Sequence, residues 1–131
     1  MDKERAKTVV AFTWQQFDEA VNIIVESLRR KGLASKVSQI YGIPRGGLVL
    51  AVVLSHRLNL PLVRLPEDVV IEGRTLIVDD ISDSGRTLER WGPLGACTAT
   101  IHKVPNTVYV PDIWVFERGV DYWVVYPWER S

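Results

Sequence analysis

Residues 75–88 read TLIVDDISDSGRTL, and this stretch constrains the fold more than any other in the chain. Four strand-forming residues, Thr75 to Val78, run straight into two adjacent carboxylates, Asp79 and Asp80. A third, Asp83, follows three residues on. A short apolar run bounded by turn residues reads as a buried strand. Ser84 and Gly85 then turn the chain, and RTLERW reads as a short helix ended by Gly92-Pro93. The acids therefore fall at the carboxyl end of a strand, where open α/β sheets bind ligands. Like charges packed this closely repel one another. They need a cation or a row of hydroxyl donors, or else they point at water as a solvated turn ahead of a helix. Acid pairs at strand ends also occur in phosphoacceptor and metal-dependent phosphatase domains.

The rest of the chain supplies the layers around that strand. Thr13 opens residues 12–33, FTWQQFDEAVNIIVESLRRKGL, with Gln16 three residues later as a capping box. Phe17, Val21, Ile24 and Leu28 recur at helical spacing, and Gly32 stops the helix. KVSQIYGI (36–43) reads as a strand, PRGG (44–47) as a loop and GLVLAVVLSHRL (47–58) as a mostly buried helix. LPLVRL (60–65) and VVIEG (69–73) read as short strands, the second turning at Gly73 into the central strand. CTATIHKV (97–104) reads as another buried strand, and residues 107–131 hold two or three short extended pieces. Strand, helix and strand alternate, which predicts an α/β fold with a mostly parallel sheet flanked by helices.

Composition narrows the function classes. A chain of 131 residues with 47% hydrophobic residues suits one domain, residues 1–131, with a real core. Sixteen basic and sixteen acidic residues cancel, so nothing global points to nucleic acid or an anionic membrane. Cys97 is alone, which excludes an intrachain disulfide and a cysteine zinc cluster; its apolar neighbours make it a buried thiol. His56 and His102 lack metal-ligand spacing and read as structural. The charged start is no secretory signal, and GLVLAVVL is too short to span a bilayer, so a cytoplasmic protein is expected. In the acid loop, Gly85 and its small neighbours let backbone N–H groups converge on a phosphate, with Ser84 and Thr87 adding hydroxyls. No Gly-Lys-Ser/Thr follows, so this is not a Walker A loop. Asp79 and Asp80 suit sugar hydroxyls, or a magnesium ion that a sugar diphosphate carries in.

The whole string resembles the phosphoribosyl diphosphate signature of the type I phosphoribosyltransferases. GIPRGGLVLA (42–51) resembles the diphosphate loop of that family. IHKV (101–104) with DYWVVYPWE (121–129) is similar to the purine pocket of its 6-oxopurine members, the bacterial xanthine-guanine enzymes above all, and FTW (12–14) fits their start. The resemblance implies transfer of phosphoribosyl from phosphoribosyl diphosphate to guanine, xanthine or hypoxanthine, in purine salvage, with Mg2+ as cofactor. It implies small-molecule substrates and a homodimer or higher oligomer.

The resemblance also implies residue roles. Asp79 and Asp80 would bind the ribose hydroxyls and favour a cationic sugar, and Asp80 would contact magnesium. Asp83 would be the general base beside the purine imidazole edge, its acidity weakened by its charged neighbours. Ser82, Asp83, Ser84, Gly85, Arg86 and Thr87 would belong to the donor-binding loop around the 5′-phosphate. Arg86, where relatives have a small residue, either joins that site or points outward. Arg45, Gly46 and Gly47 would grip the diphosphate, beside a cis bond between Pro44 and Arg45. Lys103 would donate to the oxygen at purine C6. Trp123 would stack on the base, the backbone of Trp123 and Val124 would read its edge, and Glu129 would reach its 2-substituent. Trp91 and Trp114 read instead as core aromatics.

The pattern departs from the family in one place. Relatives carry a long mobile hood between the second helix and the acid-loop strand. Here only RLPEDVVIEGR (64–74) is available, part of it taken as strand, with Arg64 or Arg74, neither in a recognisable motif, to take over a diphosphate contact. This is a minimal form of the fold. It leaves two alternatives to the transferase: a non-catalytic sensor of the nucleotide or of phosphoribosyl diphosphate, and a transferase for another nucleobase.

Overall fold

The computed structural model describes residues 8–72, 74–94, 97–119 and 121–129, the side chains of residues 70–72 excepted. Its elements follow from local chemistry. Helix α1 spans Trp14–Arg30. The Gln16 N–H donates to Thr13 Oγ1 at 3.1 Å and the Thr13 N–H donates back to Gln16 Oε1 at 2.9 Å, completing the capping box. Arg29 and Arg30 complement the dipole in the last turn, and Gly32 leaves the helix at φ 70°. Thr13→Ala should lower stability by about 1 kcal/mol, read as a fall in melting temperature with unchanged ligand affinity.

Strands β2 (Gln39–Gly42), β3 (Thr75–Ser82), β4 (Cys97–Lys103) and β5 (Ile113–Glu117) form one sheet in that order, every pairing parallel. Alternation along the strands divides the core. Ile40, Leu76, Val78, Ala99 and Ile101 belong with Phe17, Ile24 and Leu28 of α1 and Leu50 and Leu54 of helix α2 (Leu48–Leu58). Tyr41 and Ile77 belong with Val69 of helix α3 (Pro66–Glu72) and Leu88 of helix α4 (Arg86–Trp91). Each large side chain fully buried this way stabilises the fold by roughly 1.5–3 kcal/mol. Cys97 is buried within the first cluster, its thiol pushed up to about 12 by burial and then by the Asp112 carboxylate.

A second, two-stranded parallel sheet pairs β1 (Thr8–Ala11) with β6 (Tyr122–Val125). Phe12 joins it to the main core, its ring 5.1 Å from His102 and 5.5 Å from Tyr126. The sequence reading had no strand at residues 8–11, whose four side chains are all exposed and so lack alternation.

Three expectations are corrected. Residues 69–72 are helical rather than strand. Pro66 suits the first helical position, Glu67 and Asp68 favour the positive end of the dipole, and Val69 is fully buried. Capping chemistry and burial thus outweigh the β-propensity of two adjacent valines; Gly73 lies outside the described residues. LPLVRL makes only a single bridge, Ile40 to Leu62, rather than a strand. Trp114 is 38% exposed and no core residue, whereas Trp91 packs against Tyr41 with ring centres 5.5 Å apart. Among the described residues no helix is long and apolar enough to cross a membrane.

Candidate active site

Parallel pairing puts the carboxyl end of β2 beside the middle of β3, Gly42 opposite Val78, and β3 runs on past it to Ser82. The Ile43 N–H donates to the carbonyl of Val78 at 2.9 Å, so the PRGG loop leaves the sheet next to Asp79 and Asp80. The Pro44–Arg45 peptide bond is cis. Two glycines make the close approach possible. A Cβ on Gly46 would stand 2.5 Å from Asp80 Oδ2, and one on Gly47 would collide with the carbonyl oxygen of Val78. Pro44, Arg45, Gly46, Asp79, Asp80, Trp128 and Glu129 share one cleft of about 800 Å³.

The acids are oriented by their own backbone. Asp79 Oδ1 accepts from the Asp80 N–H and Asp80 Oδ1 from the Ile81 N–H, both at 2.8 Å. Burial, and then the charge of Asp80, push the Asp79 carboxyl up to about 8. Burial raises Asp80 too; its hydrogen bonding to Asp79 works against this and the Glu129 charge adds to it. Without a ligand, the pair therefore holds a proton at neutral pH.

Beside this cleft, and sharing Asp79 with it, a hollow of about 90 Å³ is lined by Ser82, Asp83, Ser84, Gly85 and Thr87. Gly85 is left-handed at φ 86°, and a Cβ there would lie 2.6 Å from the Tyr109 N–H nitrogen. The loop is buttressed by residues the sequence did not single out. The Val108 N–H donates to the Ser84 carbonyl at 3.0 Å. The Ser82 hydroxyl, buried, contacts Thr107 Oγ1 and donates to the Tyr109 carbonyl, both at 2.9 Å. Ser82 thus anchors the loop from beneath. Arg86 points outward: its side chain is 76% exposed and Nη1 lies 3.9 Å from Glu89 one turn along. Arg74 precedes β3, at the opposite end of the strand from the acids, and lines a hollow with Ser35 and Ser38. Arg64 lines another with Gln39 and Asp68. Neither belongs to the lining of the acid cleft.

The residues expected around a base come from the end of β4, from β6 and from the loop after β3. Lys103 is buried, with Nζ 3.3 Å from Glu117 Oε2 and 4.7 Å from the centre of the Trp114 ring. Val124 is buried and pairs with Val10. Trp123 is half-buried, its ring 5.1 Å from the guanidinium of Arg118. Asp83 faces that same cation, Oδ2 lying 3.4 Å from Arg118 Nη2. Glu129 departs from the Lys103–Trp123 group and lines the acid cleft, where its Oε1 accepts from the Tyr126 N–H at 2.9 Å.

Tyr126 was also missed. Its hydroxyl donates to the carbonyl of Asp80 at 3.2 Å and lies 2.8 Å from His102 Nδ1. A tyrosine has one hydroxyl proton, so His102 Nδ1 must be the donor in the second contact. Burial, and then the Arg118 charge, bring His102 down to about 4, so it is a neutral, structural histidine that aims Tyr126 at the acid loop. No local pattern announces this contact, because its ends are 46 residues apart.

No family model matches the chain. The xanthine-guanine phosphoribosyltransferase of Nitratidesulfovibrio vulgaris is 30% identical over 148 aligned positions, covering 98% of this chain and 89% of that protein. An alignment longer than this 131-residue chain means that the relative carries residues with no counterpart here. The crystal structure of a purine phosphoribosyltransferase from Pyrococcus horikoshii matches with TM-score 0.74 and 34% identity, over 94% of this chain and 95% of that one. A Helicobacter pylori xanthine-guanine-hypoxanthine phosphoribosyltransferase shares the fold with TM-score 0.71 at 17% identity, over 92% and 93% of the two chains.

Proposed function

Since the chain belongs to the type I phosphoribosyltransferases, in the family of the xanthine-guanine enzymes, we propose that it transfers phosphoribosyl from phosphoribosyl diphosphate to a 6-oxopurine and releases diphosphate. The observation that carries this reading is the juxtaposition of Asp79 and Asp80 with the Arg45–Gly46 loop across one cleft, with the Ser84–Thr87 hollow adjoining at Asp79. A sugar lying over the acids would have room for a diphosphate on one side and a phosphate on the other.

Each group then has work suited to its chemistry. The backbone N–H of Gly46 and the Arg45 cation would hold the leaving diphosphate, where negative charge develops; the Gly47 N–H, expected to share this role, is already donated to the Ile43 carbonyl at 2.8 Å, so Gly47 serves the tight turn against Val78 instead. Asp79 and Asp80 would accept the ribose hydroxyls and stabilise the oxocarbenium-like sugar. Asp83 would take the proton from the attacking base. The donor set also fits magnesium, a hard cation that prefers carboxylates and tolerates a partial protein shell. Two carboxylates that retain a proton are short of positive charge. Among the described residues no three ligating side chains stand together, so the donor's own oxygens would complete the shell. When bound, the ion would neutralise charge on the diphosphate.

The test is turnover of phosphoribosyl diphosphate with magnesium and each nucleobase in turn, followed by diphosphate release. Turnover with guanine, xanthine or hypoxanthine is expected. Nucleotide binding without turnover on any base would make the protein a sensor, and turnover on another base alone would reassign the acceptor. Gly46→Ala should weaken donor binding by about tenfold or more, because overpacking of ~1–3 kcal/mol falls on the Asp80 carboxylate. Calorimetric titration of the donor checks this.

A further inference from the structure

Position 118 lies just past β5, and its backbone N–H donates to the Lys103 carbonyl at 2.8 Å. Its side chain reaches the loop after β3, with Nη2 3.4 Å from Asp83 Oδ2. The same guanidinium lies 5.1 Å from the centre of the Trp123 ring. One residue thus touches three of the five groups expected around the base: Lys103 through the backbone, Asp83 through charge and Trp123 through a cation–π contact.

The energetics argue against a role in folding alone. Arg118 is 2% exposed, and its buried Nε–H has no partner among the described residues. Burying a guanidinium is costly, and an apolar residue of similar volume usually serves packing as well or better. An unmet buried donor adds to that cost. A guanidinium can, however, pair with a carboxylate through its N–H edge while its planar face lies against an indole, which orients both partners. Asp83 has a side chain 35% exposed and sits in a loop, so without a partner it can leave any one rotamer.

We infer that Arg118 is a positioning residue of the base site, fixing the Asp83 carboxylate by its charge and the Trp123 ring by its plane so that both meet the same nucleobase. The inference rests on the proposed function for what is being positioned, and the measurements that decide it are two binding constants that need no turnover. Arg118→Met keeps the volume and removes charge and plane; Arg118→Lys keeps the charge alone. Binding of guanosine monophosphate and of ribose 5-phosphate to the full chain separates the base from the sugar phosphate. Arg118→Met should weaken the nucleotide by about tenfold and leave ribose 5-phosphate within about twofold. In turnover, Arg118→Lys should restore kcat to within about threefold of wild type while KM for the base stays raised.

Equal weakening of both ligands, or a lower melting temperature with both affinities unchanged, would overturn the inference. So would a wild-type protein that binds the nucleotide no more tightly than the sugar phosphate. If Arg118→Met does not fold, the nucleotide-to-sugar ratio of Arg118→Lys decides in the same way. If the wild type binds the nucleotide but turns nothing over, the transferase reading fails while the two binding constants still decide Arg118.

Discussion

Asp83→Asn should lower kcat by about 10²- to 10⁴-fold, the usual contribution of a positioned general base, with donor affinity changed by no more than about twofold. The two effects separate because Asp83 does not line the cleft of Asp79, Asp80 and Arg45; it borders the adjoining hollow, but its carboxylate is paired with Arg118, and asparagine keeps the shape of that loop. Asparagine keeps an acceptor for the Arg118 guanidinium, so the fold should hold. Asp83→Ala removes the acceptor from a cation that is 2% exposed and should cost stability by about 1–3 kcal/mol as well. Single-turnover kinetics and donor titration on both variants check this. An Asp83→Asn protein that keeps wild-type turnover would remove Asp83 from the chemistry.

Asp79→Asn should have opposite effects on binding and on stability. Burial and the charge of Asp80 raise the Asp79 carboxyl from 3.8 to about 8. Between those values the folded protein holds a proton that the unfolded chain releases, so stability falls as pH rises through that window. Asparagine has no such titration and carries no charge beside Asp80. At pH 8 the unliganded variant should melt above wild type by about 5 °C or more, on the order of one or a few kcal/mol. At pH 5, where wild-type Asp79 is itself neutral, the gap should close. Donor binding should drop by about tenfold or more, since the variant loses a charged acceptor for the ribose hydroxyls and a carboxylate for the magnesium that accompanies the donor. In wild type the same proton must leave before both acids can act as a dianion, so donor affinity should rise with pH up to about 8. Melting curves across pH, with and without donor, give both halves. A variant less stable than wild type at pH 8 would contradict the electrostatic account. An unprotected pair of this kind is a cost to the fold that only a ligand offsets.

Much of the site was legible because its chemistry is contiguous. Asp79, Asp80, Asp83 and Gly85 stand in one run of residues, and a buried strand followed by a short helix can present them only at the carboxyl edge of the sheet. Thr13 with Gln16 is a local pattern of the same kind, as are Gly46 and Gly47 between β2 and α2. The helix at Pro66–Glu72 was misread because two adjacent valines carry strand propensity, while burial of Val69 beside Tyr41, Ile77 and Leu88 is a property of the packed molecule.

By itself, then, the sequence determined the parallel α/β class, the placing of the acids at a strand end, and the family whose signature they match. Only the tertiary structure decided what each acid faces. Asp83 looks out on Arg118, a residue 35 positions away that no spacing rule connects to it, and Asp80 is held from behind by Tyr126 across 46 residues. Glu129 lines the cleft of Asp79 and Asp80 rather than joining Lys103 and Trp123, and Arg86, inside the signature itself, turns to water. The physical reason is one of range. Strand propensity, capping and glycine turns act over a few residues and can be read along the chain. Burial, ion pairing and the pKa of a carboxylate depend on neighbours that folding alone brings within a few ångströms.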